Sequence, residues 1–231
     1  MIFFDPLYLA FLAPALLLSL VATILVKSRF ARYAKVPPSS GLTGAAAARR
    51  ILDQHGLHDV GVEAVQGFLG DHYDPRARVL RLSPDVYGGR SLAAVGVAAH
   101  EAGHALQHAD RYAPLALRSA LVPVASLGSS LSWILIMVGM FLGSLGLAKI
   151  GLFLFAGMVA FTLVTLPVEF NATSRAKALV TRYGIVTETE RRDLSKVLNA
   201  AALTYVAAAL TAVLQLLYFA LRLGVLGGSD D

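Results

Sequence analysis

Residues 91–109 read SLAAVGVAAHEAGHALQHA, and this stretch predicts a single helix. Ser91 is a good N-cap because its hydroxyl can accept a hydrogen bond from a free backbone N–H of the first turn. The residues that follow it are small and apolar, which favours close burial of the first half of the helix. In the second half, His100 and His104 lie four positions apart and therefore on one face. The stretch thus predicts a buried helix that presents two imidazoles to one side.

The run His100-Glu101-Ala102-Gly103-His104 has the spacing of a zinc site carried on one helix. Two imidazoles four residues apart can converge on one ion, and a carboxylate beside the first of them can take a proton from an attacking water. The alternative is that the pair are core histidines with satisfied hydrogen bonds. Since the chain has no cysteine, thiolate ligands are excluded. We therefore predict one Zn2+ per chain, with His100 and His104 as ligands and Glu101 as general base.

A catalytic zinc site takes three protein ligands, so a further ligand must come from elsewhere in the chain. Glu169 is the preferred candidate, because it directly follows an apolar stretch and can share a side of the membrane with the histidines. Its alternative role is to stabilise a helix start at the membrane surface. Asp71, His72 and Asp74 lie nearer in sequence, although such residues also suit a polar turn between strands.

Several other polar side chains have no unique assignment. His108 repeats the four-residue step, but the helix rises ~12 Å between positions 100 and 108, which is too far for both histidines to bind one ion. We expect His108 to support a ligand or the local structure. The residues chemically able to stabilise an oxyanion are His72, Tyr73, His108, Arg175 and Tyr183, and the sequence does not choose among them.

Uncharged apolar stretches surround these segments and predict four transmembrane helices. The chain is 56% hydrophobic with a mean hydropathy of +0.64. A helix needs roughly 20 apolar residues to cross a bilayer. The first stretch lacks the basic residues of a signal peptide and is predicted to be a retained anchor. The predicted spans are residues 1–28, 119–145, 146–168 and 197–223, with a short turn near Ser144 to Lys149 and a tail at 224–231.

The net charge is +5, and the positions of the basic residues indicate the membrane topology. Basic residues gather after the first span and between the third and fourth spans. By the positive-inside rule, residues 27–118 and 169–196 are predicted to be cytosolic, with both termini outside. The basic character then indicates contact with anionic lipid headgroups and gives no reason to expect nucleic acid.

The segments between the spans predict a small α+β domain. Residues 29–118 are predicted to be the cytosolic catalytic domain, and residues 169–196 cytosolic helices that carry Glu169. The fold class is therefore a mainly α membrane protein: four transmembrane helices with a small cytosolic α+β domain, a short β-hairpin plus the zinc-binding helix. Its other predicted elements are a helix at 43–55, strands at 60–66 and 77–83, and a hairpin connection at 70–75.

Three segments resemble the YugP-type membrane zinc metallopeptidases, which are gluzincin-like and distantly related to the HtpX and CAAX-prenyl endopeptidases. They are HEAGHALQH at 100–108, DHYDP at 71–75 with LRLS at 80–83, and LPVEFNATSRA at 166–176. The resemblance extends over essentially the whole chain, including the order of the spans. It implies that Glu169 is the third zinc ligand.

The resemblance also implies a substrate-binding strand and a support for one ligand. The strand before the zinc-binding helix is expected to line the cleft and to pair with an extended substrate. HtpX-type relatives carry an aspartate four positions after the third ligand, where it supports a ligand histidine. Thr173 stands at that position here, so this support is weaker or has moved. The expected substrate-binding strand comprises Val79, Leu80, Arg81 and Leu82.

The predicted function is that of a membrane-embedded zinc endopeptidase that cuts membrane proteins or membrane-proximal segments. Its expected location is a bacterial plasma membrane, with the active site facing the cytosol. Its expected partners are a peptide or membrane-protein substrate and the lipid bilayer, and the oligomeric state is not predicted. The alternative is a non-catalytic zinc-binding membrane scaffold or regulatory protein. Glu101 favours the enzyme, because a purely structural zinc site needs no base. A transporter is disfavoured, since the apolar stretches that form the spans, residues 6–26, 119–148, 150–168 and 197–221, contain no charged residues.

Overall fold

The computed structural model describes residues 5–66 and 70–226. Within these residues the chain forms seven helices and three strands. In chain order they are α1 (Pro6–Tyr33), α2 (Gly44–Asp53), β1 (Gly61–Ala64), β2 (His72–Asp74), β3 (Val79–Leu82), α3 (Pro84–Tyr87), α4 (Leu92–Ala109), α5 (Ala113–Phe141), α6 (Leu145–Arg182) and α7 (Glu188–Arg222).

The chain divides into two compact units. The sheet unit comprises Ala22–Tyr112 and Val168–Leu203, and the helical unit comprises the described parts of Met1–Val21, Ala113–Pro167 and Thr204–Asp231. Because the unit boundaries fall inside α1, α6 and α7, these helices contribute residues to both units. The predicted tail at 224–231 lies mostly outside the described residues.

Four of the described helices, α1, α5, α6 and α7, are long and apolar enough to cross a membrane. Their number matches the sequence prediction. The turn between α5 and α6 falls at 142–144, earlier than predicted, and Lys149 lies inside α6. Gly143 occupies this turn with a φ of 66°, a conformation that glycine adopts without strain.

Two of these helices continue well beyond their apolar stretches. α6 runs through Pro167 as one 38-residue helix, although the sequence predicted a span that ends at residue 168 and separate helices after it. α7 begins with a capping box: the Thr187 N–H donates to the Glu190 carboxylate at 2.7 Å, and the Glu190 N–H donates to the Thr187 hydroxyl at 3.3 Å. Because α6 is continuous through Pro167, Glu169 lies within a helix and not at a helix start.

In the helical unit, α5 and α6 pack closely through small residues. A Cβ added to Gly139 would lie 2.5 Å from the backbone nitrogen of Ala148, so only glycine fits at this crossing. Small residues that bring backbones together are typical of helices that associate in membranes.

In the sheet unit, the three strands lie in the order β1-β3-β2. β1 is parallel to β3, and β2 is antiparallel to β3. The prediction of a hairpin between the 60–66 and 77–83 strands is therefore wrong. The hairpin joins β2 to β3 through a turn at 75–78, and residues 72–74, predicted as a connection, form an edge strand.

Polar side chains that suggested a loop instead stabilise this hairpin. Asp74 accepts hydrogen bonds from the backbone N–H groups of Arg76 and Ala77 inside the turn, and its other oxygen pairs with Arg81 on β3. Asp71 accepts from both the N–H and the hydroxyl of Ser83. Aspartates with these partners close the two ends of a short hairpin, although aspartate is equally typical of a turn between strands.

The core of the sheet unit fixes the position of α4. Large aliphatic side chains from α2, β3, α4 and α7 meet there with no exposed surface, and each contributes about 1.5–3 kcal/mol by burial. The second half of α4 carries both histidines, so this core sets where their rings point. The core side chains include Ile51, Leu52, Leu80, Leu82, Leu92 and Leu194.

Candidate metal centre

α4 forms as its sequence predicts and supplies two imidazoles. The Ser91 hydroxyl accepts a hydrogen bond from the Ala94 N–H at 3.2 Å, which confirms the predicted N-cap. His100 and His104 follow one turn apart, and their ring centroids are 4.8 Å from each other. Both side chains are mostly buried, with 14% and 12% of their surface exposed.

α6 brings a carboxylate to the same point. Glu169 is 2% exposed, and its Oε2 lies 3.1 Å from His100 Nε2 and 3.5 Å from His104 Nε2. Zinc binds nitrogen and oxygen at about 2.0–2.2 Å, so two ligand atoms at a tetrahedral angle lie roughly 3.3 Å apart. The ligand atoms of the three residues all lie within 4.8 Å of one another. Two imidazole nitrogens and one carboxylate oxygen at these distances fit a zinc ion.

A glycine permits α4 and α6 to approach closely enough for this arrangement. A Cβ added to Gly103 would lie 2.9 Å from the carbonyl oxygen of Ala172 on α6 and 3.3 Å from its Cα. Both of these contacts are with backbone, which cannot rotate away. Gly103, the glycine of the HEAGH run, therefore sets the spacing of the two helices that carry the candidate ligands.

Glu101 lies beside the first histidine and is 8% exposed. Among the described residues, none donates a hydrogen bond to its carboxylate, yet no buried side-chain oxygen lacks a partner. The Glu101 oxygens must therefore reach solvent. A largely buried carboxylate in contact with water, and with no protein partner, can exchange protons with that water.

Each candidate ligand histidine has a hydrogen-bond partner at its second nitrogen. His104 Nδ1 lies 2.9 Å from Gln107 Oε1, and His100 Nδ1 lies 3.2 Å from the Thr173 hydroxyl. Thr173 was predicted as a possible support, whereas Gln107 was not. The sequence signal for Gln107 is its position three residues after His104, on the same face of the helix. If that face is buried, the amide needs hydrogen-bond partners there.

Electrostatics at this cluster favour a positive charge. Burial alone would lower the pKa of His104, but its hydrogen bond to Glu169 and the negative charges of Glu101 and Glu169 together outweigh this effect and raise the pKa above its usual value. A site that favours a cationic imidazole also favours a metal cation, since the same negative carboxylate stabilises either one.

His108 and Tyr73 bind each other away from the three candidate ligands. The Tyr73 hydroxyl lies 2.8 Å from His108 Nδ1, and this bond links β2 to α4. Burial raises the pKa of Tyr73, so its hydroxyl keeps its proton at neutral pH. This contact favours a structural role for His108, one of the two roles that the sequence predicts for it.

The remaining candidates have structural partners. His72 is exposed, and its Nδ1 lies 2.7 Å from the Gly70 carbonyl. Arg175 donates to Asn171 and pairs with Asp110, the C-cap residue of α4. Tyr183 packs edge-on against His55. With Asp71 and Asp74 engaged in the hairpin, none of these residues joins His100, His104 and Glu169.

The expectation that Val79, Leu80, Arg81 and Leu82 pair with substrate is wrong. These residues form β3, the central strand, and its two edges are occupied by β1 and β2. Leu80 and Leu82 belong to the core cluster, Val79 is also buried, and Arg81 pairs with Asp74. The backbone of a strand with two neighbours has no free hydrogen-bonding groups for a third.

Comparison with known proteins agrees with this centre. Residues 8–224 match the family model described as "Putative neutral zinc metallopeptidase". The "Putative membrane protease YugP" of Bacillus subtilis (strain 168) is 52% identical over 217 residues, which cover 94% of this chain and 96% of that protein. No solved structure matches the chain significantly. With residues 8–224 matched and a cluster of two histidines and one glutamate that could hold a metal, the chain belongs to this family of zinc metallopeptidases.

Proposed function

We propose that this protein is a membrane-embedded zinc endopeptidase of the gluzincin type, with His100, His104 and Glu169 as metal ligands and Glu101 as general base. One observation carries the proposal. Two Nε2 atoms and a carboxylate oxygen have the spacing of zinc ligands, and among the described residues none donates a hydrogen bond to the neighbouring carboxylate of Glu101. The family membership supports the same class of reaction.

The chemistry divides between the metal and the chain. Zinc bound at this centre supplies Lewis acidity, which acidifies water and polarises a peptide carbonyl. Glu101 accepts the proton of the attacking water and returns it to the leaving amine. Because Glu169 is almost completely buried, solvent screens little of its negative charge, and that charge acts on the metal centre.

Removal and return of the metal test this function directly. Purified full-length protein in detergent should cleave an unfolded protein substrate, lose that activity after dialysis against a strong chelator, and regain it with one equivalent of Zn2+. The measurement is the rate of cleavage against zinc content. A preparation that binds zinc stoichiometrically without cleaving any of a panel of unfolded and membrane-protein substrates would support the non-catalytic scaffold instead.

The substrates proposed are membrane proteins or segments close to the bilayer, and an edge strand offers a way to bind them. β2 contacts α4 through Tyr73 and His108. Its second edge pairs with no strand among the described residues. Addition of an extended peptide to an open sheet edge is a common mode of recognition. We therefore place the substrate-binding edge on β2 rather than on β3.

The proposed location is a bacterial plasma membrane, with the metal centre on the cytosolic side. The basic residues that follow the first apolar stretch and those between the last two support this orientation. A reporter inserted near Gly41 should behave as cytosolic, and one fused after Asp231 should behave as exported. Paired fusions to a phosphatase active only outside and a fluorescent protein active only inside would measure this. The reverse pattern would contradict the orientation.

Gly103→Ala should weaken the metal centre, because the added methyl meets the Ala172 backbone at 2.9 Å. Overpacking at a tight contact costs about 1–3 kcal/mol, or roughly 5–150-fold in zinc affinity if α6 moves away from α4. Competition with a coloured chelator would measure the affinity.

Gly96→Ala is the matched control for this change. It places a methyl on the same helix 3.1 Å from the Leu194 Cγ, which is a longer contact and one with a side chain of α7 rather than with the backbone of α6. Both substitutions raise helix propensity equally. Equal zinc affinities for the two variants would refute the role assigned to Gly103.

A further inference from the structure

Gln107 is a polar side chain with no exposed surface at all. It lies on α4, three residues after His104, and three hydrogen bonds satisfy it. Its Oε1 is 2.9 Å from His104 Nδ1, and its Nε2 donates to the Val168 carbonyl at 2.8 Å and to Asn171 Oδ1 at 3.0 Å. A buried amide without partners would cost about 1–3 kcal/mol, so each of these contacts matters to the fold.

The hydrogen-bond chemistry of these contacts fixes which ring nitrogen of a neutral His104 carries the hydrogen. A backbone carbonyl can only accept, so the group of Gln107 that faces Val168 must be the NH2. The amide oxygen then faces His104, whose Nδ1 must carry the hydrogen. A neutral His104 therefore has its lone pair on Nε2, the atom that lies 3.5 Å from Glu169. Gln107 thus selects the tautomer in which Nε2 can bind a metal.

The same amide also holds the part of α6 that carries Glu169. Val168 precedes Glu169 by one residue, and Asn171 follows it by two. Asn171 Oδ1 accepts a further hydrogen bond from Arg175 Nε at 2.8 Å, and Arg175 pairs with Asp110 at the end of α4. Gln107 is therefore the buried end of a chain of side chains that crosses between α4 and α6.

His100 has a more permissive partner. The Thr173 hydroxyl can donate or accept and can rotate, so its 3.2 Å contact with His100 Nδ1 imposes no tautomer. The two ligand histidines thus differ: an amide with a single possible orientation fixes the tautomer of His104, whereas the hydroxyl beside His100 leaves its tautomer free.

We propose that Gln107 is a positioning residue of the metal centre, which holds His104 with Nε2 free for the metal and ties it to the α6 segment that carries Glu169. This inference rests on the proposed function, since it assumes that His104 and Glu169 bind zinc. Gln107 itself does not touch substrate or metal.

Substitution of Gln107 tests this role in the full-length protein. Gln107→Met keeps an unbranched side chain of similar size but removes the acceptor and both donors. We expect zinc affinity to fall ~10–100-fold, the loss typical when a partner of a ligand histidine is removed. The visible spectrum of the Co2+-loaded protein, which reports ligand geometry, should change as well. Gln107→Glu returns an oxygen within reach of His104 Nδ1 but loses both donors to α6, so it should recover only part of the affinity, with a cobalt spectrum between those of Gln107→Met and wild type.

Thr173→Val is the matched control, because it removes a neutral partner from the other histidine. Its loss of zinc affinity should be smaller than that of Gln107→Met. A merely structural role for Gln107 would lower the melting temperature of the metal-free protein but leave the cobalt spectrum unchanged.

Two results would overturn the inference: an unchanged cobalt spectrum with zinc affinity within about twofold of wild type in Gln107→Met, or no recovery in Gln107→Glu. If Gln107→Met does not fold, Gln107→Glu alone decides: zinc affinity within about twofold of wild type would then overturn the inference, because this variant has lost the donors to α6. These outcomes are separate from the proposed function, which fails only if the wild-type protein itself binds no zinc or cleaves no substrate.

Discussion

Glu101→Gln should abolish proteolysis while the protein keeps its zinc. The substitution preserves the size of the side chain and removes only its ability to take up a proton. Glu101 is absent from the three residues whose ligand atoms converge, so metal binding should not depend on it. Loss of general acid–base help lowers rates by typically ~10²–10⁴-fold. The measurement is cleavage of an unfolded substrate alongside the zinc content of the same preparation.

Glu63→Gln provides a matched control for this experiment. Glu63 is an exposed carboxylate on β1, in the same unit of the chain, and it takes no part in the candidate metal centre. Its substitution should leave both cleavage and zinc content near the wild-type values. Near-normal turnover in Glu101→Gln would rule out this residue as the base, and loss of zinc from that variant would make it a ligand instead.

The part of the candidate centre on α4 could be predicted because its signals are local. The Ser91 cap and the four-residue step between His100 and His104 require only that one helix forms, and helix periodicity is readable over a short stretch. The clustering of Glu169 with the histidines could be predicted from the two membrane spans between them. Two crossings return the chain to the same side of the membrane, so residues far apart in sequence can meet there.

The sheet could not be predicted as well, because its pairing is set by contacts that the sequence does not display. Asp71 and Asp74 read as turn residues, yet their partners Ser83 and Arg81 make them the closing groups of a hairpin. The parallel pairing of β1 with β3 has no local signal either, since parallel strands are joined by long connections. The error over the substrate-binding strand follows from this missing topology.

Gln107 escaped prediction for the same reason. Its partners Val168 and Asn171 lie 61 and 64 residues away in the sequence. Next to the histidines of the HEAGH run, a glutamine resembles an ordinary helix former with a solvated side chain. Only the packing of α6 against α4 makes it a buried amide with three defined partners.

Glu169→Ala should remove zinc from the protein, and with it all activity. The candidate site offers one carboxylate and two imidazoles, and the loss of the carboxylate removes both a ligand and the only negative charge of the three. The effect should exceed the ~10–100-fold loss of affinity that follows when only a supporting partner is removed. Zinc content after repeated dialysis against a mild chelator would measure it. Glu101→Gln in parallel should lose activity alone, so the two variants separate the ligand from the base.

Asp74→Asn is the control that makes the Glu169 result specific. Asp74 was an alternative ligand on sequence grounds, but its carboxylate accepts hydrogen bonds within the β2–β3 turn and pairs with Arg81, which lowers its pKa to about 2. A carboxylate with those partners has no oxygen to spare for a metal, so Asp74→Asn should keep stoichiometric zinc. Glu169→Ala protein that also keeps stoichiometric zinc would exclude Glu169 as a ligand. Retention in Asp74→Asn with loss in Glu169→Ala is the result expected if α4 and α6 together build the centre.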